Sequence, residues 1–130
     1  MPDNTTEYRA KYTQIMQVPA PDDLIHGWYT AAKILIAGEV DLKRGTLMMS
    51  SGGNVFVPAT SGGLASAEEL CILCEDVELE AGLTAQVSGY FSGEFLRSRV
   101  ILTWETEEDD HAALIEAIRP ELRKHRLMVK

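Results

Sequence analysis

The sequence predicts a mainly β fold of the α+β kind, with one amphipathic helix near the C-terminus and an extended arm at the N-terminus. From residue 34 onward, short apolar runs are separated by glycine turns. Helical spacing of apolar residues occurs only near the end, and the first thirty residues have no clear period. A length of 130 residues fits one domain with an attached arm. We therefore divide the chain into an arm, residues 1–30, and a β-rich domain, residues 31–130.

The arm contains three prolines, which favour extended or turn backbone. It also contains more apolar side chains than a purely solvated tail would carry. The apolar positions are Ile15, Met16, Val18, Leu24, Ile25 and Trp28. A mobile arm and a segment ordered only against a neighbour are both compatible with this composition, and an arm that becomes ordered on binding suits the mixture better.

The first part of the domain predicts short strands. Residues 33–37 form an apolar run that stops at Gly38, and Val40 and Leu42 then alternate with charged residues before a turn near residues 43–45. These elements predict two strands joined by a glycine turn.

The middle of the domain carries a strong hairpin signal. Gly52-Gly53-Asn54 lies between two predicted strands, 46–49 and 55–57. A loop rich in Gly and Ser follows over residues 60–66, and the continuous apolar run 70–74 predicts a buried strand.

The last third predicts further strands and then the helix. Residues 84–91 alternate, Ser92-Gly93 predicts a turn, and residues 95–102 would return as another strand. Asp109 or Asp110 can cap a helix, while Pro120 predicts a kink or a break inside it. The helical face consists of Leu114, Ile115, Ile118 and Leu122, and the final Leu127-Met-Val-Lys segment is a candidate closing strand.

The charge balance limits the classes of partner. A net charge of −8 means that phosphate backbones and anionic membranes repel the chain. No apolar run reaches membrane-spanning length, and the polar start is unlike a signal peptide. We expect a soluble protein, made in a cytoplasm, that binds neither nucleic acid nor membrane.

The two cysteines have the spacing of a redox dithiol or of half a zinc site. In an extended strand, however, residues three apart point to opposite faces, so the thiols of Cys71 and Cys74 would diverge. The acidic residues that follow would raise a thiol pKa, and there is no second ligand pair for zinc. We therefore expect two buried, reduced cysteines.

The remaining candidates for chemistry are the histidines and the acidic runs. His26, His111 and His125 form no metal-spaced pair, and the acidic runs 75–80 and 105–110 lack the alternating ligands of a calcium loop. We interpret the acidic runs as solvated faces, and His111 and His125 as surface residues. The sequence thus predicts no catalytic, cofactor-binding or metal site, and we expect a protein that is not an enzyme.

Several stretches, taken in order, are similar to the motifs of the head decoration proteins of tailed bacteriophages, the lambda type. They are Ile34–Gly38, Gly45–Met48, Asn54–Pro58, Cys71–Cys74 with Asp76-Val77, Gln86–Phe95, Ala112–Lys124 and Leu127–Lys130. Each motif is weak alone, and their order and spacing over about three-quarters of the chain carry the specificity. The chain departs from the pattern where His125-Arg126 replaces the common Gly before the last strand, and at Glu69–Cys71, where a small residue and Gly are usual.

The resemblance implies a small β-barrel or β-tulip-like domain that assembles as a homotrimer. Such a trimer would bind the major capsid protein at three-fold positions, on the outer surface of the expanded virion shell, and stabilise it against the pressure of packaged DNA. The arm would bind by strand addition, with three arms on one trimer raising the effective concentration. The expected capsid-binding residues of the arm are Ile15, Val18, Leu24, Ile25 and Trp28.

Two alternatives remain open. The chain could be another virion component, such as a tail or connector protein, or a β-rich binding module with an unknown partner. A thiol-dependent or metal-dependent activity at Cys71 and Cys74 is a third hypothesis, which replacement of both cysteines would test.

Overall fold

The structure is a computed structural model that describes residues 16–17 and 24–130. Within this part of the chain, the fold is mainly β with one C-terminal α-helix, which confirms the predicted fold class. The strands are β1 Met16–Gln17, β2 Ile25–Ala37, β3 Val40–Leu42, β4 Leu47–Gly52, β5 Val55–Pro58, β6 Leu70–Leu73, β7 Val77–Leu79, β8 Thr84–Phe95 and β9 Leu127–Val129. The helix α1 is His111–Lys124, and short 3₁₀ helices cover Leu64–Ser66 and Arg97–Arg99.

Five strands close into a small barrel. Their order is β2-β5-β4-β6-β8, and β8 pairs again with β2 along most of its length. All neighbours are antiparallel except β2 and β5, which run parallel where Leu35 faces Val55. Closure leaves few open edges in the barrel wall, and thereby limits edge-to-edge association.

Two further pairings extend the barrel, and a third stands apart from it. Strand β1 adds to the outer edge of β2, and β9 adds parallel to β8 beyond the end of β6. Strands β3 and β7 form a separate antiparallel pair. The hairpin β4–β5, the buried strand β6 and the closing strand β9 all lie where the sequence predicts them.

The interior consists of two apolar clusters on different sides of the sheet. The larger, which we call the helix-side core, joins the barrel to α1 and β9 through residues such as Leu47, Phe95, Ile115, Leu122 and Leu127. The smaller, which we call the hairpin-side core, packs beneath β3 and β7. It contains Ile34, Ile36, Leu42, Met48, Phe56, Cys71, Leu73, Val77 and Val87.

Helix α1 begins where the sequence predicts, but it does not break at Pro120. The Asp110 carboxylate accepts a hydrogen bond of 3.1 Å from the backbone N–H of Ala112, which is the expected N-cap. The helix continues through Pro120 to Lys124, so of the predicted kink or break, the break is wrong. Ile115 and Leu122, both fully buried, hold the helix on either side of the proline, because tertiary packing outweighs one lost hydrogen bond.

Two predictions for the segment around residue 93 are also wrong. Strand β8 runs without a turn through Ser92 and Gly93, and residues after Phe95 form the 3₁₀ helix Arg97–Arg99 where a strand is predicted. At Gly93 the backbone of β2 approaches so closely that only a hydrogen fits. The glycine therefore allows the close approach of two paired strands and does not reverse the chain.

Candidate functional site

The structure places the five expected capsid-binding residues in three different situations. Ile15 and Val18 lie outside the described residues. Leu24 and Ile25 are 2% and 6% exposed, whereas Trp28 is 37% exposed. Only the last of the three described side chains is on the surface.

Leu24 and Ile25 belong to the helix-side core, which corrects their assignment as partner contacts. The Leu24 carbonyl accepts a 2.7 Å hydrogen bond from the backbone N–H of Leu96, and Ile25 pairs with Phe95 across β8. Both side chains therefore contribute to the packing of the domain, and little of either is exposed to a partner. The expected boundary between residues 30 and 31 falls inside β2, and residues from 24 onward form part of the domain.

The outer edge of β2 at Trp28 and Tyr29 is a strand-addition site within the chain itself. Met16 pairs with Tyr29 and Gln17 pairs with Trp28, both antiparallel. The exposed Trp28 side chain therefore lies at an edge where backbone hydrogen bonds are already satisfied by another strand. Among the described residues, the other large, exposed apolar side chains are Leu83, in the loop before β8, and Ile101.

Arg44 organises a cleft that sequence patterns did not reveal. Its Nε donates to the Cys74 carbonyl at 3.1 Å, its Nη2 donates to the Tyr90 hydroxyl at 3.2 Å, and its backbone N–H donates to Asp76 Oδ1 at 2.8 Å. The cleft beside it has a volume of about 390 Å³. Its lining consists of Leu24, Arg44, Asp76, Ser98, Arg99 and Ile101. Because these contacts join residues 30 to 46 positions apart, no local spacing could predict them.

The two thiols lie in different cores, as the strand geometry predicts. Cys71 is fully buried in the hairpin-side core, while Cys74 packs against the helix-side core, and both are free. Burial raises the pKa of the Cys71 thiol well above its usual range. Burial also raises the pKa of Cys74 to about 12, against the opposing influence of the Tyr90 hydrogen bond and the Arg44 charge. Both thiols are thus protonated near neutral pH, which is unfavourable for nucleophilic or metal-binding chemistry.

A second cleft, of about 480 Å³, contains a serine, a histidine and a glutamate. His111 Nδ1 lies 2.6 Å from Glu105 Oε1, and Ser98 lines the same cleft. The other ring nitrogen, Nε2, is directed at the Arg97 carbonyl at 2.7 Å. The imidazole therefore cannot accept a proton from Ser98 in this geometry, and the three residues do not form a nucleophilic triad.

The face of the β3–β7 pair is acidic on its outer side. Val40 faces Leu79 on the inner side, whereas Asp41 stands directly opposite Glu78. Lys43 Nζ lies 3.8 Å from Asp41 Oδ1, but both side chains are well exposed, so this ion pair offsets little of the repulsion. Within residues 16–17 and 24–130, no three His, Cys, Asp or Glu side chains come close enough together to hold a metal ion.

Comparison with known proteins leaves the family open. No family model matches the chain, and no curated protein has significant sequence similarity to it. In the part of the chain that the structure describes, no helix is long and apolar enough to cross a membrane.

Proposed function

We propose that this protein is a trimeric head decoration protein of the lambda type. It would bind the major capsid protein on the outer surface of the expanded shell and stabilise the shell against packaged DNA. The observation that carries the proposal is the order of the sequence motifs along the chain. The residues of these motifs lie on β2, β4, β5, β6, β7, β8, α1 and β9 or directly beside them.

The position of a backbone irregularity also supports the resemblance. Arg126 has a φ of 63°, in the left-handed region that favours glycine. This is the place before the last strand where the decoration proteins commonly have Gly. The chain thus keeps a backbone conformation suited to the family's residue while carrying a different side chain.

The charge of the chain is compatible with a position outside the shell. A net charge of −8 disfavours contact with DNA and keeps the free protein soluble. A protein that stands on the outer surface needs neither a nucleic-acid site nor a membrane segment.

We place the capsid-binding arm in residues 1–23, because Leu24 and Ile25 are buried in the domain. Ile15 and Val18 remain the arm residues that we expect to contact the coat protein, and Trp28 is an exposed contact on the domain itself. Binding by strand addition would use main-chain hydrogen bonds for affinity and alternate side chains for register. Since Met16 and Gln17 pair with β2 inside the chain, strand addition to the coat protein would use their other edge or replace this pairing.

The proposal is tested by the oligomeric state of the free protein together with binding to shells. Sedimentation velocity should give a trimer, and the trimer should co-sediment with expanded shells of the coat protein from the same virus but not with unexpanded ones. A monomer that binds neither form would contradict the decoration role. Binding to an isolated tail or connector complex would instead favour another virion component.

A further inference from the structure

His111, the first residue of α1, has an oxygen acceptor at each of its two ring nitrogens. Nδ1 lies 2.6 Å from Glu105 Oε1, and Nε2 lies 2.7 Å from the Arg97 carbonyl oxygen. Neither a carboxylate nor a carbonyl oxygen can donate a hydrogen bond. Both ring nitrogens must therefore carry a proton for both contacts to be hydrogen bonds, which requires the imidazolium form.

The ring connects three segments that lie outside the barrel strands. It joins α1 to the loop that carries Glu105 and to the 3₁₀ helix Arg97–Arg99. It also forms a wall of the 480 Å³ cleft, which Val100 and Leu102 line as well. These two side chains are almost fully buried and belong to the helix-side core. Separation of α1 from the 3₁₀ helix would therefore open a path from the cleft to the core.

The groups around the ring are mainly acidic. Glu105 is in contact with it, Asp110 caps the same helix end, and Glu107 lines the same cleft. The nearest cations are engaged elsewhere. Arg97 Nη1 lies 3.9 Å from Glu116, and Lys130, after β9, lies 3.7 Å from Glu94. The other element packed against α1, the 3₁₀ helix Leu64–Ser66, has no titratable side chain.

These surroundings favour the charged ring. Partial burial lowers the pKa of His111. The hydrogen bonds to Glu105 and to the Arg97 carbonyl, together with the charges of Glu105 and Asp110, raise this pKa by a larger amount, so the net shift is upward. A group whose pKa is higher in the folded state contributes its full stability below its unfolded pKa, about 6.5 for His. That contribution is lost as pH rises through the folded-state pKa.

We propose that His111 is a proton-dependent latch that fastens the N-terminal end of α1 to the 3₁₀ helix Arg97–Arg99 and releases it when the ring loses a proton. The neutral ring has one N–H donor, so one of the two contacts becomes a repulsion between lone pairs. The first turn of α1 then opens more often, and water reaches the side chains of Val100 and Leu102. The latch does not depend on the capsid role and would operate in the free subunit.

The test combines two NMR measurements on the full chain. The first follows the ring ¹H and ¹⁵N shifts of His111 between pH 5 and 9 and should give it a pKa above 6.5. The second measures hydrogen exchange of the Ala113, Leu114 and Ile115 amides, corrected for the intrinsic pH dependence of exchange. Protection should fall by about tenfold for each pKa unit of upward shift as the ring deprotonates.

Two variants separate the latch from a general loss of stability. Glu105→Gln keeps the shape of the acceptor but removes its charge, and it should lower the His111 pKa and the pH dependence of protection together. His125→Gln, at the other end of the same helix, should leave both unchanged. A His111 pKa at or below 6.5, or helix protection that does not change with pH in the unmodified chain, would overturn the proposal.

Discussion

Replacing Gly93 by alanine should destabilise the protein much more than the same change at Gly52. The two glycines have almost the same φ, 146° and 147°, a conformation that side chains rarely adopt. They differ in the space around them. A Cβ at Gly93 would lie 2.6 Å from the Trp28 carbonyl oxygen and 2.9 Å from the Tyr29 Cα, whereas nothing lies within 4 Å of a Cβ at Gly52.

The expected magnitudes follow from separating backbone strain from steric overlap. Strain at an unfavourable φ costs about 1–3 kcal/mol and applies to both variants. Overpacking adds about 1–3 kcal/mol, and applies only at Gly93, because the atoms in the way are mostly backbone and cannot rotate aside. The free energy of unfolding should thus fall by about 2–6 kcal/mol for Gly93→Ala and by about 1–3 kcal/mol for Gly52→Ala.

Urea denaturation followed by far-UV circular dichroism measures both losses against the unmodified chain. The difference between the variants should be at least about 1 kcal/mol, which is the lower limit of the overpacking cost. Equal losses would refute the argument that the backbone of β2 approaches β8 too closely at Gly93 for a side chain to fit. A Gly93→Ala chain that is unfolded without urea would agree with it, provided that Gly52→Ala still folds.

Three further changes have defined expected outcomes. Arg126→Gly should raise the free energy of unfolding by about 0.5 kcal/mol, because the relief of backbone strain at φ 63° slightly exceeds the entropy cost of glycine. A lower free energy of unfolding in urea denaturation would contradict strain at this residue. Glu78→Lys should stabilise the chain by about 0.5 kcal/mol by replacing the repulsion from Asp41 with attraction. That gain should shrink in 1 M salt, and a gain independent of salt would point away from electrostatics. Since the pKa of Cys74 is raised to about 12, iodoacetamide at pH 8 should modify the folded protein far more slowly than the urea-unfolded chain. Equal rates, measured by mass spectrometry, would show that the thiol is not protected.

Local signals determined the elements that the sequence predicted well. The Gly52-Gly53-Asn54 turn specifies the β4–β5 hairpin, because few other residues tolerate its positive φ values. Asp110 caps α1 because its side chain satisfies an otherwise unpaired N–H at the start of the helix. The divergence of Cys71 and Cys74 follows from strand alternation alone. In each case the deciding interaction spans only a few residues.

Long-range contacts determined what the sequence did not predict. Gly93 resembles a turn residue in the sequence, and only the approach of β2 explains why glycine is needed there. Pro120 is tolerated because Ile115 and Leu122 are both buried in the same core. The Arg44 network and the His111 contacts join residues that are distant in the sequence, so no motif marks them.

Strand β2 begins before residue 31, the predicted start of the domain, for a related reason. Residues 25–30 lack the periodicity of a strand, yet they continue β2 because β8 is long enough to pair with them. Their membership of the domain depends on the partner strand and not on their own pattern. For the same reason, the sequence pattern assigns Leu24 and Ile25 to the arm and does not show that they complete the helix-side core.

Co-sedimentation of the purified protein with expanded coat-protein shells, full-length and lacking residues 1–23, tests the central proposal most directly. The shorter chain retains β2 from Ile25 onward and should fold, which circular dichroism can check. We expect saturable binding of the full-length protein and loss of binding by the shorter chain. Equal binding by both chains would contradict the arm-mediated attachment, and no binding by a folded full-length protein would contradict the decoration role itself.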